Sequence, residues 1–159
     1  MAKFQVGSGL DEYIAQLENL EFTAPNAIAS AVYEGAKVVA DAVRQDLEAL
    51  PTDTQYHNPK TALLPVEKQG LLDGLGVSAQ KNENGYINSK IGFSGYNGDV
   101  TAKYPKGHPN AMIARALERG TSFMARNPTI TKATKRVKDQ AESAMAAAID
   151  KEISHTVKE

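Results

Sequence analysis

Hydrophobic residues near both ends of the chain recur at the three- and four-residue spacing of amphipathic helices. The first such stretch predicts a short helix whose apolar face is formed by Leu10, Tyr13, Ile14, Leu17 and Leu20. A longer helix is predicted from about Pro25 to Leu50, with Thr23 or Asn26 as its N-cap and Pro51 as its end. Its expected buried stripe is Ile28, Ala31, Val32, Gly35, Val39, Ala42, Val43, Leu47 and Leu50.

The helical pattern stops at Pro51, and two loops are predicted in the middle of the chain. Three prolines and few periodic apolar residues predict an exposed loop from Pro51 to Gln69, with a short extended segment around Ala62-Leu63-Leu64 as an alternative. A second loop is predicted from Gly95 to Pro109, with a strand around Val100 to Tyr104 as an alternative. Long loops often carry function, so both are candidate contact regions.

Between the loops, alternating apolar residues predict a β-hairpin. One strand places Leu75, Val77 and Ala79 on one face, and the other places Ile87, Ser89, Ile91 and Phe93 on one face. A two-residue Asn84-Gly85 turn would put the two apolar sets on opposite faces of the sheet. A three-residue Glu83-Asn84-Gly85 loop pairs Leu75 with Phe93 and Val77 with Ile91, and we expect this arrangement.

Helical spacing returns in the last third of the chain. A short helix is predicted from Asn110 to Arg119, ended by Gly120, and a long helix from about Thr131 to near Val157. The buried stripe expected in the long helix is Val137, Ala141, Ala144, Met145, Ala148, Ile149 and Ile153. The pattern therefore predicts an α+β fold, in which an antiparallel sheet with a hairpin near 75–93 packs against the long helix of the N-terminal half.

Composition narrows the class of protein. A chain of 159 residues fits a single domain, and its net charge of -1 gives no global attraction to nucleic acid. The absence of Cys excludes disulfides, thiolate zinc sites and cysteine nucleophiles. No apolar run approaches the ~20 residues of a membrane span, so we expect a soluble protein made in a cytoplasm.

The residues expected of an enzyme do not occur in productive patterns. His57, His108 and His155 are scattered, which argues against a metal site. The Ser of Gly92-Phe93-Ser94-Gly95 lacks the spacing of a nucleophile elbow, and no phosphate-binding loop occurs. Several acidic residues of the long helix are expected on a solvated face: Glu34, Asp41, Asp46 and Glu48. We therefore predict no catalytic residue, cofactor or metal, and no enzymatic activity.

Basic residues are concentrated in the second half. The candidate partner or DNA contacts are Lys103, Lys106, Lys132, Lys135, Arg136 and Lys138. The last four lie at the start of the long helix, where positive charge opposes the helix dipole and requires compensation. Three interpretations remain open: a solvated face, a contact with an acidic surface of a neighbouring subunit, and a contact with the DNA backbone.

The segment Ala114-Arg115-Ala116-Leu117-Glu118-Arg119-Gly120-Thr121-Ser122 resembles the signature of a family of tail-completion or minor tail proteins of long-tailed bacteriophages. In that family a short helix ends in Glu-x-Gly-Thr-Ser, and a Pro-containing turn and a long terminal helix follow. The Gly-Leu-Leu-x-x-Leu-x-Val entry into the hairpin at Gly70 to Val77 is similar too. The family usually continues with Ala-Arg-Pro-Phe, whereas here Met124 to Ile130 moves the Arg one place earlier and replaces the aromatic residue.

The resemblance implies that residues 1–159 form a single tail-completion domain of a virion. It implies a ring, often of six subunits, that completes the tail, joins it to the head connector and is assembled in the cytoplasm of the bacterial host. Its implied partners are further copies of the chain, the tail tube protein, the head connector or stopper protein, and genomic DNA passing through the lumen without sequence readout. No membrane is involved. The alternative function is a small DNA-binding or regulatory protein that uses Lys132 to Lys138. A hydrolase built on the middle loops is disfavoured, because the chain lacks paired nucleophile and base residues.

Overall fold

The computed structural model describes the backbone of residues 8–53 and 63–158, and the side chains of 24–53 and 63–156. Five helices and four short strands are present in these ranges. In chain order they are α1 (Ser8–Glu48), α2 (Pro65–Gly74), β1 (Leu75–Val77), β2 (Lys81–Glu83), β3 (Tyr86–Asn88), β4 (Ile91–Phe93), α3 (Asn110–Arg119), α4 (Thr129–Arg136) and α5 (Lys138–Lys158). The strands form two antiparallel pairs, so the predicted α+β class is confirmed.

The N-terminal half is one helix, and the prediction of two separate helices was wrong. Helix α1 runs from Ser8 to Glu48 with Pro25 inside it, so neither Thr23 nor Asn26 acts as an N-cap. A proline removes one backbone donor from a helix, and here that loss does not end it. Most of the predicted stripe is buried or partly buried, but Ile28 remains 44% exposed.

Helix α5 packs along α1 at a position where α1 carries a glycine. A Cβ atom built on Gly35 would lie 2.5 Å from Cγ of Met145. The two helices can approach closely at this position because Gly35 has no side chain. The central core lies at the C-terminal half of α1, where α2, α3, α4 and the β1–β4 pair meet it. Its fully buried large side chains are Val43, Leu47, Leu71 and Leu117.

The predicted loop from Pro51 to Gln69 is wrong from Pro65 onward, because Pro65 begins α2. Proline is favoured in the first turn of a helix, where its missing N–H is not needed. The Glu67 carboxylate accepts a hydrogen bond of 3.0 Å from the Leu64 N–H, which helps to satisfy the start of the helix. Leu63 forms a parallel bridge with Thr52, so part of the alternative extended segment is present, while residues 54–62 lie outside the described ranges.

The hairpin has the predicted pairing but a different turn. Leu75 pairs with Phe93 and Val77 with Ile91, as expected. The end of the hairpin pairs Glu83 with Tyr86 across a two-residue Asn84-Gly85 turn, so the predicted three-residue loop is wrong. The predicted pairing and the shorter turn are compatible because the connecting segments differ in length: three residues, 78–80, lie opposite two, 89 and 90. The extra residue shifts the register between the two strand pairs and keeps the apolar faces together.

Two further predictions need correction. The segment from Val100 to Tyr104 is not a strand: Thr101 and Tyr104 exchange backbone hydrogen bonds of 3.1 and 3.0 Å and close a tight turn. The long C-terminal helix is divided at Val137, whose φ of -103° and ψ of 8° separate α4 from α5. Hydrogen bonds from Val137 to Ala133 and from Ala141 to Val137 continue across the division. The short helix Asn110–Arg119 has the predicted bounds.

Candidate functional site

The turn between α3 and α4 contains the Glu118 to Ser122 segment, and its backbone geometry requires glycine. Gly120 ends α3 with φ 77° and ψ 162°, a region almost confined to glycine, and its N–H donates to the Ala116 carbonyl at 2.8 Å. A Cβ atom at this position would lie 3.0 to 3.2 Å from the backbone of Arg126. The incoming and outgoing chains are therefore held close together at Gly120.

Glu118 joins α3 to the start of α4. Its Oε1 accepts a 2.6 Å hydrogen bond from the Ile130 N–H, and its Oε2 accepts a 2.7 Å bond from the Thr131 hydroxyl. Unpaired N–H groups and the positive end of the helix dipole both favour a carboxylate there. Glu118 thus supplies the compensation that the basic start of this helical region required, from a position eleven residues before α4 begins.

Hydrogen bonds between side chains and the backbone stabilise the rest of the turn. The Thr121 hydroxyl accepts hydrogen bonds from the N–H groups of Phe123 (3.1 Å) and Met124 (3.0 Å), while the Thr121 N–H donates to the Met124 carbonyl at 2.8 Å. Arg126 donates from Nε to the Glu118 carbonyl at 3.3 Å. These bonds fix the backbone on both sides of Phe123.

Phe123 is directed into solvent by this fixed backbone. Its side chain is 80% exposed, the highest value among the large hydrophobic residues exposed in the described part of the chain. Burying a phenylalanine side chain yields about 1.5–3 kcal/mol, so exposing it on an ordered turn forgoes a substantial gain in stability. The sequence analysis did not select Phe123, because one sequence cannot show which aromatic side chains remain uncovered.

The predicted basic residues fall into two groups. Lys103 and Lys106 are exposed on the loop before α3, and Nζ of Lys103 lies 5.5 Å from the centre of the Tyr104 ring. Lys132 and Lys135 are exposed on α4. Arg136 instead forms an ion pair of 2.9 Å with Asp46, which corrects the prediction that Asp46 belongs to a solvated acidic face. Lys138 lies 3.8 Å from Glu142, a weak exposed pair.

Hydrogen bonds to the Asn97 side chain hold together the loop from Gly95 to Pro109. The Asn97 Oδ1 accepts hydrogen bonds of 3.0 Å from the N–H groups of Asp99 and His108. Tyr96 forms a bridge with Pro109, which closes the base of the loop beside α3. This loop is consequently an ordered part of the domain surface.

Beneath the loop lies a buried polar cluster that the sequence analysis missed. Asn97, Asn110 and Glu67 are all buried, and His108 Nδ1 is 3.2 Å from Asp99 Oδ2. Burial raises the pKa of the Glu67 carboxyl, the hydrogen bond from Leu64 opposes that rise, Asp99 adds to it, and His108 opposes it. Asn110 donates to the Ser94 carbonyl at 2.8 Å, so the cluster connects α2, the loop and the start of α3. We assign it a structural role.

The grouping of ionisable side chains and one surface groove bear on small-molecule binding. Among the side chains that the structure describes, those of residues 24–53 and 63–156, no three His, Asp or Glu are grouped to hold a metal ion. A shallow groove of about 310 Å³ follows the exposed face of β1 and β4, and Lys90 is the ionisable residue among those that line it. No helix in the described ranges has the length and hydropathy to cross a membrane.

Comparison of the chain with protein-family models, curated proteins and solved structures found no match in any of the three.

Proposed function

We propose that this protein is a structural subunit of a bacteriophage virion, which completes the tail and joins it to the head connector as a ring of identical chains. The proposal rests on the resemblance of the Glu118 to Ser122 segment and on one observation: this segment forms a fastened turn that holds Phe123 in solvent. An aromatic side chain on a backbone fixed in this way can bind a partner without the cost of ordering that backbone.

The contacts of the turn explain why its residue types are needed. Glu118 caps α4, Gly120 adopts a backbone conformation that other residues avoid, and the Thr121 hydroxyl holds the next two N–H groups. These groups all take part in holding the turn. The segment is therefore better suited to forming and presenting a surface than to acting on a substrate.

A ring of identical subunits needs two different contact patches on each chain, because each subunit meets one neighbour on each side. We propose Phe123 as the centre of one patch. Protein interfaces are enriched in aromatic residues and arginine, and Arg126 lies three residues after Phe123 in the chain.

The test uses Phe123→Ser and a matched control, Tyr86→Ser. Tyr86 lies on the hairpin and is 77% exposed, so both variants remove an aromatic side chain of similar exposure. The full-length chains are produced alone and together with the proteins encoded by the adjacent genes, then examined by native mass spectrometry and negative-stain electron microscopy. We expect closed rings for the wild type and for Tyr86→Ser. Phe123→Ser should weaken subunit association by about 2 kcal/mol, roughly 30-fold, with unchanged thermal stability.

Two results would contradict the proposal. One is a wild-type chain that stays monomeric both alone and with the products of the adjacent genes. The other is a genomic position among genes that encode neither head-connector nor tail-tube proteins, together with equal association of the two variants.

A further inference from the structure

Positive charge is concentrated in one quarter of the chain. Residues 100–138 contain nine of the 18 Lys and Arg residues but one of the 19 Asp and Glu residues, so this segment carries +8 and the remainder carries −9. The single acid is Glu118, whose carboxylate caps α4. The net charge of the whole protein is close to zero because the acidic remainder of the chain compensates this strongly basic region.

Contacts between residues near these basic side chains connect the loop before α3, helix α3 and the start of α4. Lys103 lies over the Tyr104 ring, and the Tyr104 hydroxyl contacts Met112 Sδ at 3.8 Å. Met112, Arg115 and Arg119 follow at helical spacing on the exposed side of α3. At the end of α3, Glu118 is bonded to Thr131, the residue before Lys132. We call the six exposed basic residues on these three elements the basic band: Lys103, Lys106, Arg115, Arg119, Lys132 and Lys135.

All six members of the basic band have exposed side chains. Within the described part of the chain, the ion pairs formed by residues 100–138 involve His108, Arg136 and Lys138, and none of the six. Lys132 also lies in the first turn of α4, where a cation is disfavoured by the helix dipole. The cations are therefore placed for an external partner instead of an internal one.

The composition of the basic band favours phosphates over a protein surface. Four of its six members are lysines, which are depleted in protein–protein interfaces, whereas lysine and arginine both neutralise the DNA backbone. The charges also extend over a loop and two helices and do not converge on a pocket. This arrangement suits a long polyanion better than a single small anion.

We propose that the basic band binds the phosphate backbone of double-stranded DNA without sequence preference. The inference rests on the charges of this chain and does not require the proposed virion role. A protein that forms phosphate contacts releases counterions from the DNA, so its affinity falls steeply as the salt concentration rises. Random-sequence DNA should bind as well as any chosen sequence, because these side chains offer no base-reading arrangement.

The test measures binding of the full-length protein to a fluorescein-labelled 30-base-pair duplex of random sequence by fluorescence anisotropy, from about 50 to 200 mM salt. Lys132→Glu/Lys135→Glu is compared with Lys81→Glu/Lys90→Glu, which changes the net charge equally at exposed positions of the hairpin. We expect the α4 variant to bind about tenfold more weakly, with a salt slope shallower by about 2. The hairpin variant should lose less than about threefold.

Absence of wild-type binding at the lowest salt concentration would overturn the inference and leave an acidic protein surface as the alternative occupant. An equal loss in both variants would also overturn it, since net charge would then explain the binding. Circular dichroism of both variants checks that their folds are intact. Ring formation is scored separately, so failure of DNA binding and failure of the virion proposal remain distinguishable.

Discussion

The hairpin turn at Asn84-Gly85 and the turn between α3 and α4 each carry an exposed aromatic residue, but they are built differently. The hairpin turn uses positive φ at Asn84 and Gly85 and one side-chain contact, from the Gly85 N–H to Asn82 Oδ1 at 2.9 Å. The β2 and β3 strands that carry it are mostly exposed. The α3–α4 turn has Glu118, Thr121 and Arg126 all bonded across it, and it joins two helices of the core.

This difference shows that the exposed fraction of a side chain does not by itself distinguish a binding residue from another surface residue. Tyr86 and Phe123 have similar exposed fractions, but the bonds around them differ. Side-chain hydrogen bonds from Thr121 and Arg126 hold the chain around Phe123, whereas Tyr86 is held by its pairing with Glu83 on an exposed hairpin. A partner that binds a residue on a loosely held hairpin must pay for ordering it, and that cost reduces affinity. Substitutions at the two turns can test whether they differ in rigidity as their contacts indicate.

The largest effect is expected from replacing the glycines. Gly120→Ala should lower the free energy of unfolding by about 3 kcal/mol, because the backbone conformation disfavours a side chain and Arg126 lies in its way. Gly85→Ala should cost about 1 kcal/mol, since φ is 83° but no atom lies within 4 Å of the added Cβ. Urea unfolding followed by circular dichroism measures both. Equal losses would contradict the claim that the α3–α4 turn is the more constrained.

A smaller effect is expected from removing the carboxylate that spans the α3–α4 turn. Glu118→Ala should cost about 2 kcal/mol, because Ile130 and Thr131 lose their acceptor and α4 loses its compensating charge. Glu118→Gln should cost less, since an amide oxygen still accepts one bond. The control is Glu83→Ala on the hairpin, where the carboxylate accepts one bond of 3.4 Å and the loss should stay below about 0.5 kcal/mol. A Glu118→Ala loss as small as that of the control would show that the cap does not stabilise α4.

The same two turns show how far sequence patterns predict this fold. Alternation between Leu75 and Phe93 gave the correct strand pairing, because a one-residue slip would expose an apolar face. It gave the wrong turn, because the extra residue at 78–80 leaves no mark in the alternation. Gly120 was recognisable as a helix end, since glycine is common just after a helix. The long-range contacts, such as the hydrogen bond between Glu118 and Ile130, depend on tertiary packing. The local spacing of residues in the sequence therefore does not predict them.

Prolines were the other source of error, for a related reason. Pro25 lies inside α1 and Pro65 begins α2, whereas the sequence pattern predicts a helix start at Pro25 and a loop at Pro65. Proline lacks a donor N–H, which is harmless in the first turn of a helix and tolerable inside a helix stabilised by packing. For the candidate site, the basic residues were found from composition, whereas the exposure of Phe123 and the ion pair of Arg136 required the fold.

The smallest effect is expected from a short polar side chain that each turn contains and that accepts hydrogen bonds from backbone N–H groups two or three residues later. Thr121→Val keeps the shape of the side chain but removes the acceptor for two N–H groups, and we expect a loss of about 1 kcal/mol. Asn82→Ala removes the acceptor for the Gly85 N–H alone, and about 0.5 kcal/mol of the free energy of unfolding should be lost.

The same two variants test whether a fixed backbone is what makes Phe123 effective in binding. If it is, Thr121→Val should also weaken ring formation although Phe123 itself is retained, and Asn82→Ala should not. Native mass spectrometry at matched concentrations measures this. Unchanged association in Thr121→Val, despite the expected loss of stability, would mean that the exposed aromatic ring acts without the preorganisation of its turn.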